Sequence, residues 1–174
     1  KGLYLFKPSS SKDEVKARLF GSGSIMKQVI KAADILENEF KIPIEIWSVP
    51  SYVGLRREAL ECEDWNRLNP TQEPLIPYVV TMLGKSKIPT IATSDFMKAV
   101  PEMIARWVHN YTILGTDGFG RSDTRENLRR HFQIDAENIV VATLSSLSRS
   151  GVLNPEIVEE TIAKYKLDRQ IHSS

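Results

Sequence analysis

Two hydrophobic periods alternate along this chain, and together they lay out its elements. The opening segment, Lys1 to Lys7, is rich in Leu, Tyr and Phe and predicts a strand. A polar break follows at Pro8-Ser9-Ser10-Ser11-Lys12-Asp13, and the chain resumes extended from Val15 to Phe20. After Gly21-Ser22-Gly23-Ser24 the period changes. Apolar residues at Ile25, Met26, Val29, Ile30, Ala33, Leu36 and Phe40 mark one buried face of a helix, with Ser24 expected as its N-cap. Ile42 to Val49 returns to strand. Strand, helix and strand with tight joints predict a right-handed parallel unit.

Charges crowd the middle of the chain. Leu55, Ala59, Leu60 and Trp65 lie at loosely helical spacing within Ser51 to Leu68, and Pro70, Pro74 and Pro77 then punctuate the chain. A short helix is expected over Tyr78 to Leu83 and a buried strand over Ile88 to Thr93. Phe96, Val100, Ile104 and Trp107 form an apolar stripe that Pro101 must interrupt, which predicts two short helices. Tyr111 to Gly115 is the next strand. Asp123-Thr124-Arg125-Glu126 reads as a capping box opening a helix to about Phe132. Asp135-Ala136-Glu137 opens another, with Ile139, Val140, Leu144 and Leu147 on one face and Gly151 as terminator. Asn154-Pro155-Glu156 starts a third, with Pro at its first position and Ile157, Val158, Ile162 and Tyr165 as its buried side. Gln170 to Ser174 is expected to fray. The sum is one α/β domain over residues 1–174, three layers deep, with a mostly parallel sheet of about five strands.

Composition narrows the function classes. The 174 residues are 41% hydrophobic and 26% charged, which suits a chain with a core of its own. Twenty-three Lys and Arg balance 22 Asp and Glu, so no overall field attracts nucleic acid or an acidic membrane. The longest apolar run, Ile139 to Ala142, is far short of a membrane span. A lone cysteine, Cys62, has no partner for an internal disulfide and points to a reducing compartment. No targeting leader opens the sequence, and a start at Lys1 rather than Met suggests a piece of a longer chain.

Two glycine loops follow strands, where open α/β sheets place ligands. In Gly21-Ser22-Gly23-Ser24, Met26 replaces the third glycine of a dinucleotide pattern, so a tight turn letting the helix approach the sheet is the favoured reading. The other loop, Gly115-Thr116-Asp117-Gly118-Phe119-Gly120-Arg121-Ser122, offers three glycines, an acid and an arginine for an anion or an interface. Gly115, Asp117, Phe119, Gly120, Arg121, Ser122 and the following Arg125 are therefore the candidate interface or anion residues. A thiamine diphosphate motif would need Gly-Asp-Gly and then Asn roughly 25 to 30 residues on. Here Thr116 precedes Asp117, and Thr143 to Val152 contains no Asn. His109, His131 and His172 have no paired spacing for a metal, and nothing supports Cys62 as a nucleophile. Glu61, Glu63, Asp64 and Arg67 read as a solvated helix face. Arg121, Arg125, Arg129 and Arg130, with Asp123 and Glu126 among them, read as a salt-bridged contact surface. No catalytic constellation assembles.

The run Leu114-Gly115-Thr116-Asp117-Gly118-Phe119-Gly120-Arg121-Ser122-Asp123-Thr124-Arg125-Glu126-Asn127-Leu128-Arg129-Arg130-His131-Phe132 closely resembles the C-terminal domain of the homodimeric, bacterial-type pyruvate dehydrogenase decarboxylating component. So do Leu19 to Ile25, Cys62 to Pro70, Ala92 to Lys98 and Asp135 to Val141. The core Asp117-x-Phe119-Gly120-x-Ser122 is similar to the wider transketolase superfamily. This resemblance implies a transketolase C-terminal fold, and a cytoplasmic three-domain parent that decarboxylates pyruvate with thiamine diphosphate and Mg²⁺. The parent passes the acetyl group to lipoyl groups of a dihydrolipoyl acyltransferase core. The family's cofactor and proton-transfer residues lie in its first two domains, so the resemblance assigns no catalytic, cofactor or metal residue here. It implies an inactive structural and assembly domain, partnered by the upstream domains and a second subunit. A regulatory anion or nucleotide domain, or a docking module for the acyltransferase core, are the alternatives.

Overall fold

A computed structural model describes residues 2–116 and 134–169. Five strands form one sheet in the order β1-β3-β2-β4-β5: β1 (Tyr4–Lys7), β2 (Ala17–Gly21), β3 (Ile44–Ser48), β4 (Thr90–Thr93) and β5 (Tyr111–Leu114). Four run parallel. Among the described residues the edge strand β1 alone is antiparallel, against β3, with a bulge between Leu5 and Lys7.

Neighbouring residues of a strand point to opposite faces, and the register shows what each face buries. Leu19 lies beside Ile46 and Ile91, and this set packs with α1 (Met26–Asn38) and α5 (Ala136–Arg149). Phe20 lies beside Trp47 and Ala92, and this second set packs with α2 (Tyr52–Leu68), α3 (Tyr78–Leu83) and the α4 (Ala99–Glu102) region. Apolar residues on both sides of the central strands require helices on both sides, which yields the expected three layers. A last helix, α6 (Pro155–Tyr165), packs on α5. No helix among the described residues is long and apolar enough to cross a membrane.

The helix starts follow local chemistry. Ser51 caps α2 by accepting from the Gly54 N–H, Asp135 caps α5 by accepting from Asn138, and Asn154 caps α6 with Pro155 at its first position. Gly151, at φ 78°, stands just past the end of α5.

Four expectations are corrected. Ser24 does not cap α1: a 3₁₀ turn, Gly23–Ile25, precedes the helix, and the Ser24 hydroxyl is bonded elsewhere. Phe96 leaves its predicted stripe and is exposed, because α4 begins only at Ala99, whereas Pro101 and Ile104 are buried. Glu63 is not merely solvated. It pairs with Arg106 at 2.9 Å and accepts from Trp107 Nε1 at 3.1 Å, tying α2 to the turn before β5. On α6 the buried residue is Thr161, while Ile157, Val158, Ile162 and Tyr165 are half-buried. The helix expected from Asp123 to Phe132 and the fraying tail Gln170 to Ser174 lie outside the described residues.

Candidate functional site

The strand order sets β2 between β3 and β4, so the connections diverge at β2, and the carboxyl ends of β2 and β4 mark the crevice position of an open α/β sheet. Gly21–Ser24 leaves β2 there, and Ser94-Asp95-Phe96 leaves β4. The Ser24 hydroxyl donates to Asp95 Oδ2 at 2.6 Å, across 71 residues of sequence. From β5, Thr116 joins the same group: its hydroxyl donates to the Asp95 carbonyl and its N–H to the Phe96 carbonyl, both at 2.9 Å. The Phe96 N–H in turn donates to Ser94 Oγ at 3.0 Å. Three loops are thus stitched together where a ligand would enter.

Both glycines that open these loops serve close packing. A Cβ on Gly21 would come within 2.8 Å of Val29 Cγ2, so its absence lets α1 lie against the sheet. A Cβ on Gly115 would meet the Phe96 carbonyl at 2.9 Å and Lys98 Cγ at 3.0 Å. Of the predicted interface or anion residues, Gly115 is therefore placed at the crevice. Asp117, Phe119, Gly120, Arg121, Ser122 and Arg125 lie outside the described residues, as does His131. The residues that sequence reasoning missed here are Asp95, the partner of Ser24 in the first loop, and Thr116, which bonds the Asp95 and Phe96 carbonyls. A short hydroxyl residue before a helix signalled a cap, and nothing local signalled a carboxylate so distant in sequence.

The electrostatics do not fit a diphosphate at Gly21–Ser24. Such a group needs free N–H donors and positive charge, whereas the Ser24 side chain turns toward a carboxylate. Among the described residues no group of three or more His, Cys, Asp or Glu could hold a metal ion.

Away from the crevice, burial favours the neutral forms of Cys62, Tyr52 and Tyr111. Burial pushes the Cys62 thiol up to about 11, reinforced by its hydrogen bond to Glu58 at 3.2 Å and by the charges of Glu58, Glu61 and Glu63. A thiol so shifted is a poor nucleophile at neutral pH. Burial also raises the phenols of Tyr52 and Tyr111, and the latter donates to the Pro101 carbonyl at 2.9 Å. His109 is exposed. This arrangement binds loops to one another and presents an apolar rim, since Phe96 and Met97 stand out from it with 68% and 49% of their surface exposed.

A family model described as the transketolase-like C-terminal domain matches residues 2–135. Among curated proteins, the pyruvate dehydrogenase E1 component of Pseudomonas aeruginosa is 45% identical over 170 residues, 97% of this chain. Those of Escherichia coli K12 and Mycolicibacterium smegmatis are 39% and 40% identical over the same share. The chain spans only 18–19% of the length of these relatives. Among solved structures, transketolase from Leishmania mexicana superposes with a TM-score of 0.57 at 20% identity, covering 85% of this chain and 18% of that one. Transketolase from Campylobacter jejuni gives 0.54 at 22% identity, covering 83% and 18%. At that identity the structures speak for the fold alone.

Proposed function

Because the chain belongs to the family of transketolase-like C-terminal domains, we propose that residues 1–174 form the C-terminal structural and assembly domain of a pyruvate dehydrogenase E1 component. The observation that carries this reading is the run of relatives bearing that name, at 39–45% identity across 97% of the chain. The parent enzyme is then a cytoplasmic homodimer that decarboxylates pyruvate and passes the acetyl group to lipoyl groups on an acyltransferase core. Thiamine diphosphate with Mg²⁺ stabilises the carbanion in that chemistry and is held by upstream domains. The isolated domain is inactive on this reading. Its partners are the upstream domains, the second subunit and, through the parent, the acyltransferase core.

The crevice supports assembly over catalysis, since Ser24, Asp95 and Thr116 bond loop to loop there and its rim is apolar. A regulatory anion at Gly21–Ser24 is opposed by the Asp95 carboxylate. Truncation of the parent ahead of residue 1 tests the proposal. Loss of the dimer in sedimentation, with pyruvate decarboxylation down at least tenfold, is the expected result. A truncated enzyme that stays dimeric at full rate would overturn it.

A further inference from the structure

The edge strand β1 is bare on three sides. Among the described residues its outer edge has no neighbour in the sheet order, and its apolar residues Tyr4, Leu5 and Phe6 keep 41–49% of their surface exposed. Exposed apolar edge strands invite pairing, and proteins normally blunt or cover them. Here a bulge and Lys7, which pairs with Asp34 at 3.7 Å, blunt only the far end.

A second exposed apolar element is fastened to the start of this strand. Leu75 and Ile76 keep 46% and 63% of their surface exposed on the segment between α2 and α3. That segment is held rigidly. Asn66 mimics a strand neighbour, donating from Nδ2 to the Leu75 carbonyl at 2.9 Å and accepting the Leu75 N–H at 2.7 Å. Two residues beyond Ile76, the Tyr78 N–H donates to Glu58 at 2.9 Å and its hydroxyl donates to the Leu3 carbonyl at 3.0 Å. Four directed hydrogen bonds therefore hold the backbone that carries Leu75 and Ile76 and tie it to the residue before β1, while both side chains stay in water. Holding them so costs conformational freedom and leaves apolar area wet, a combination that marks an interface.

We infer that this surface, the outer edge of β1 with Leu75 and Ile76, is the seat of the upstream part of the same polypeptide. The inference rests on the proposed reading of the chain as a C-terminal domain. In the relatives the aligned stretch is 19% of the chain, so on that reading about four-fifths of the polypeptide precedes β1 and is tethered beside it. A short tether gives an effective concentration of order millimolar, at which a modest apolar contact suffices. A second copy of β1 lacks that advantage.

The test uses the full-length parent with single changes Leu5→Cys, Ile76→Cys, Phe96→Cys and, as an exposed reference on another turn, Val152→Cys. Maleimide labelling is mapped to each site by peptide mass. Leu5→Cys and Ile76→Cys are expected to label at least tenfold more slowly than Val152→Cys. A photo-crosslinker carried on Leu5→Cys should join a peptide from the preceding region. A crosslink giving double mass between two β1 segments would overturn the inference in favour of a second copy. Labelling as fast as Val152→Cys would also overturn it. In that case a slowed Phe96→Cys leaves the assembly reading standing with docking at the carboxyl edge, whereas no slowed site at all removes both.

Discussion

Arg18 is the one charged side chain that the sheet swallows whole among the described residues. It lies on β2 between Glu45 of β3 and Thr90 of β4. Its Nη2 donates to the Leu83 carbonyl at 2.9 Å, its Nη1 to Thr90 Oγ1 at 3.3 Å, and its Nε faces Glu45 at 3.3 Å. Burial lowers the guanidinium pKa and Glu45 opposes that shift, so the cation is retained by its partners. Arg18→Met should leave the Leu83 carbonyl without its donor and take the cation from Glu45, which keeps the Trp47 Nε1 donor at 2.9 Å, and cost about 3 kcal/mol, read as a lower urea midpoint. Arg18→Met with Glu45→Gln should recover part of that loss. Cys62 gives a second test at this scale. With its thiol raised to about 11, the native state holds the proton more tightly than the unfolded chain. Stability from this group is full below the ordinary thiol value and falls as pH rises toward 11. Iodoacetamide labelling of the native chain at pH 8 should be roughly a hundredfold slower than in urea, and equal rates would contradict the assignment.

At the scale of elements, the approach of α1 to the sheet hangs on Gly21. Gly21→Ala should push Val29 outward and destabilise by about 1–3 kcal/mol, the usual cost of overpacking, seen in thermal unfolding. The strands and helices themselves were largely legible, since Leu19, Ile46 and Ile91, or Ile139, Val140, Leu144 and Leu147, follow the two periods of a buried strand and an amphipathic helix. What was illegible is of another kind. Arg18 sits in a strand pattern that gives no hint of a buried cation, because only the neighbours across the sheet make burial tolerable. Ser24 carries a strong local signal for capping, yet a long-range partner, Asp95, outcompeted the helix end. Phe96 fitted a periodicity whose first turn never forms. The crevice was legible only as two glycine loops after strands, and the contacts that join them span too much sequence for any local pattern.

For the whole molecule, the proposed assembly role predicts that thiamine diphosphate with Mg²⁺ leaves the melting temperature of the 174-residue chain unchanged. A ligand at a hundred times its dissociation constant would add about 2.7 kcal/mol, so a saturable rise of several degrees would count against the role. Since β1 alone runs backwards, Gly2 lies beside Ser51 just past β3, on the edge where Gly21, Asp95 and Gly115 also gather. Lys41 and Asn110, with left-handed backbones, lie just before β3 and β5, and Gly151 follows the end of α5, which Ser150 and Ser146 bond to Asn110. The two rims of the sheet thus differ in their freedom to vary. Extra residues spliced in at Gly151–Val152 have open water to loop into, whereas any lengthening at Gly21–Ser24 must break a seam of three loops. Natural insertions, affinity tags and fluorescent fusions alike belong on the rim of Gly151.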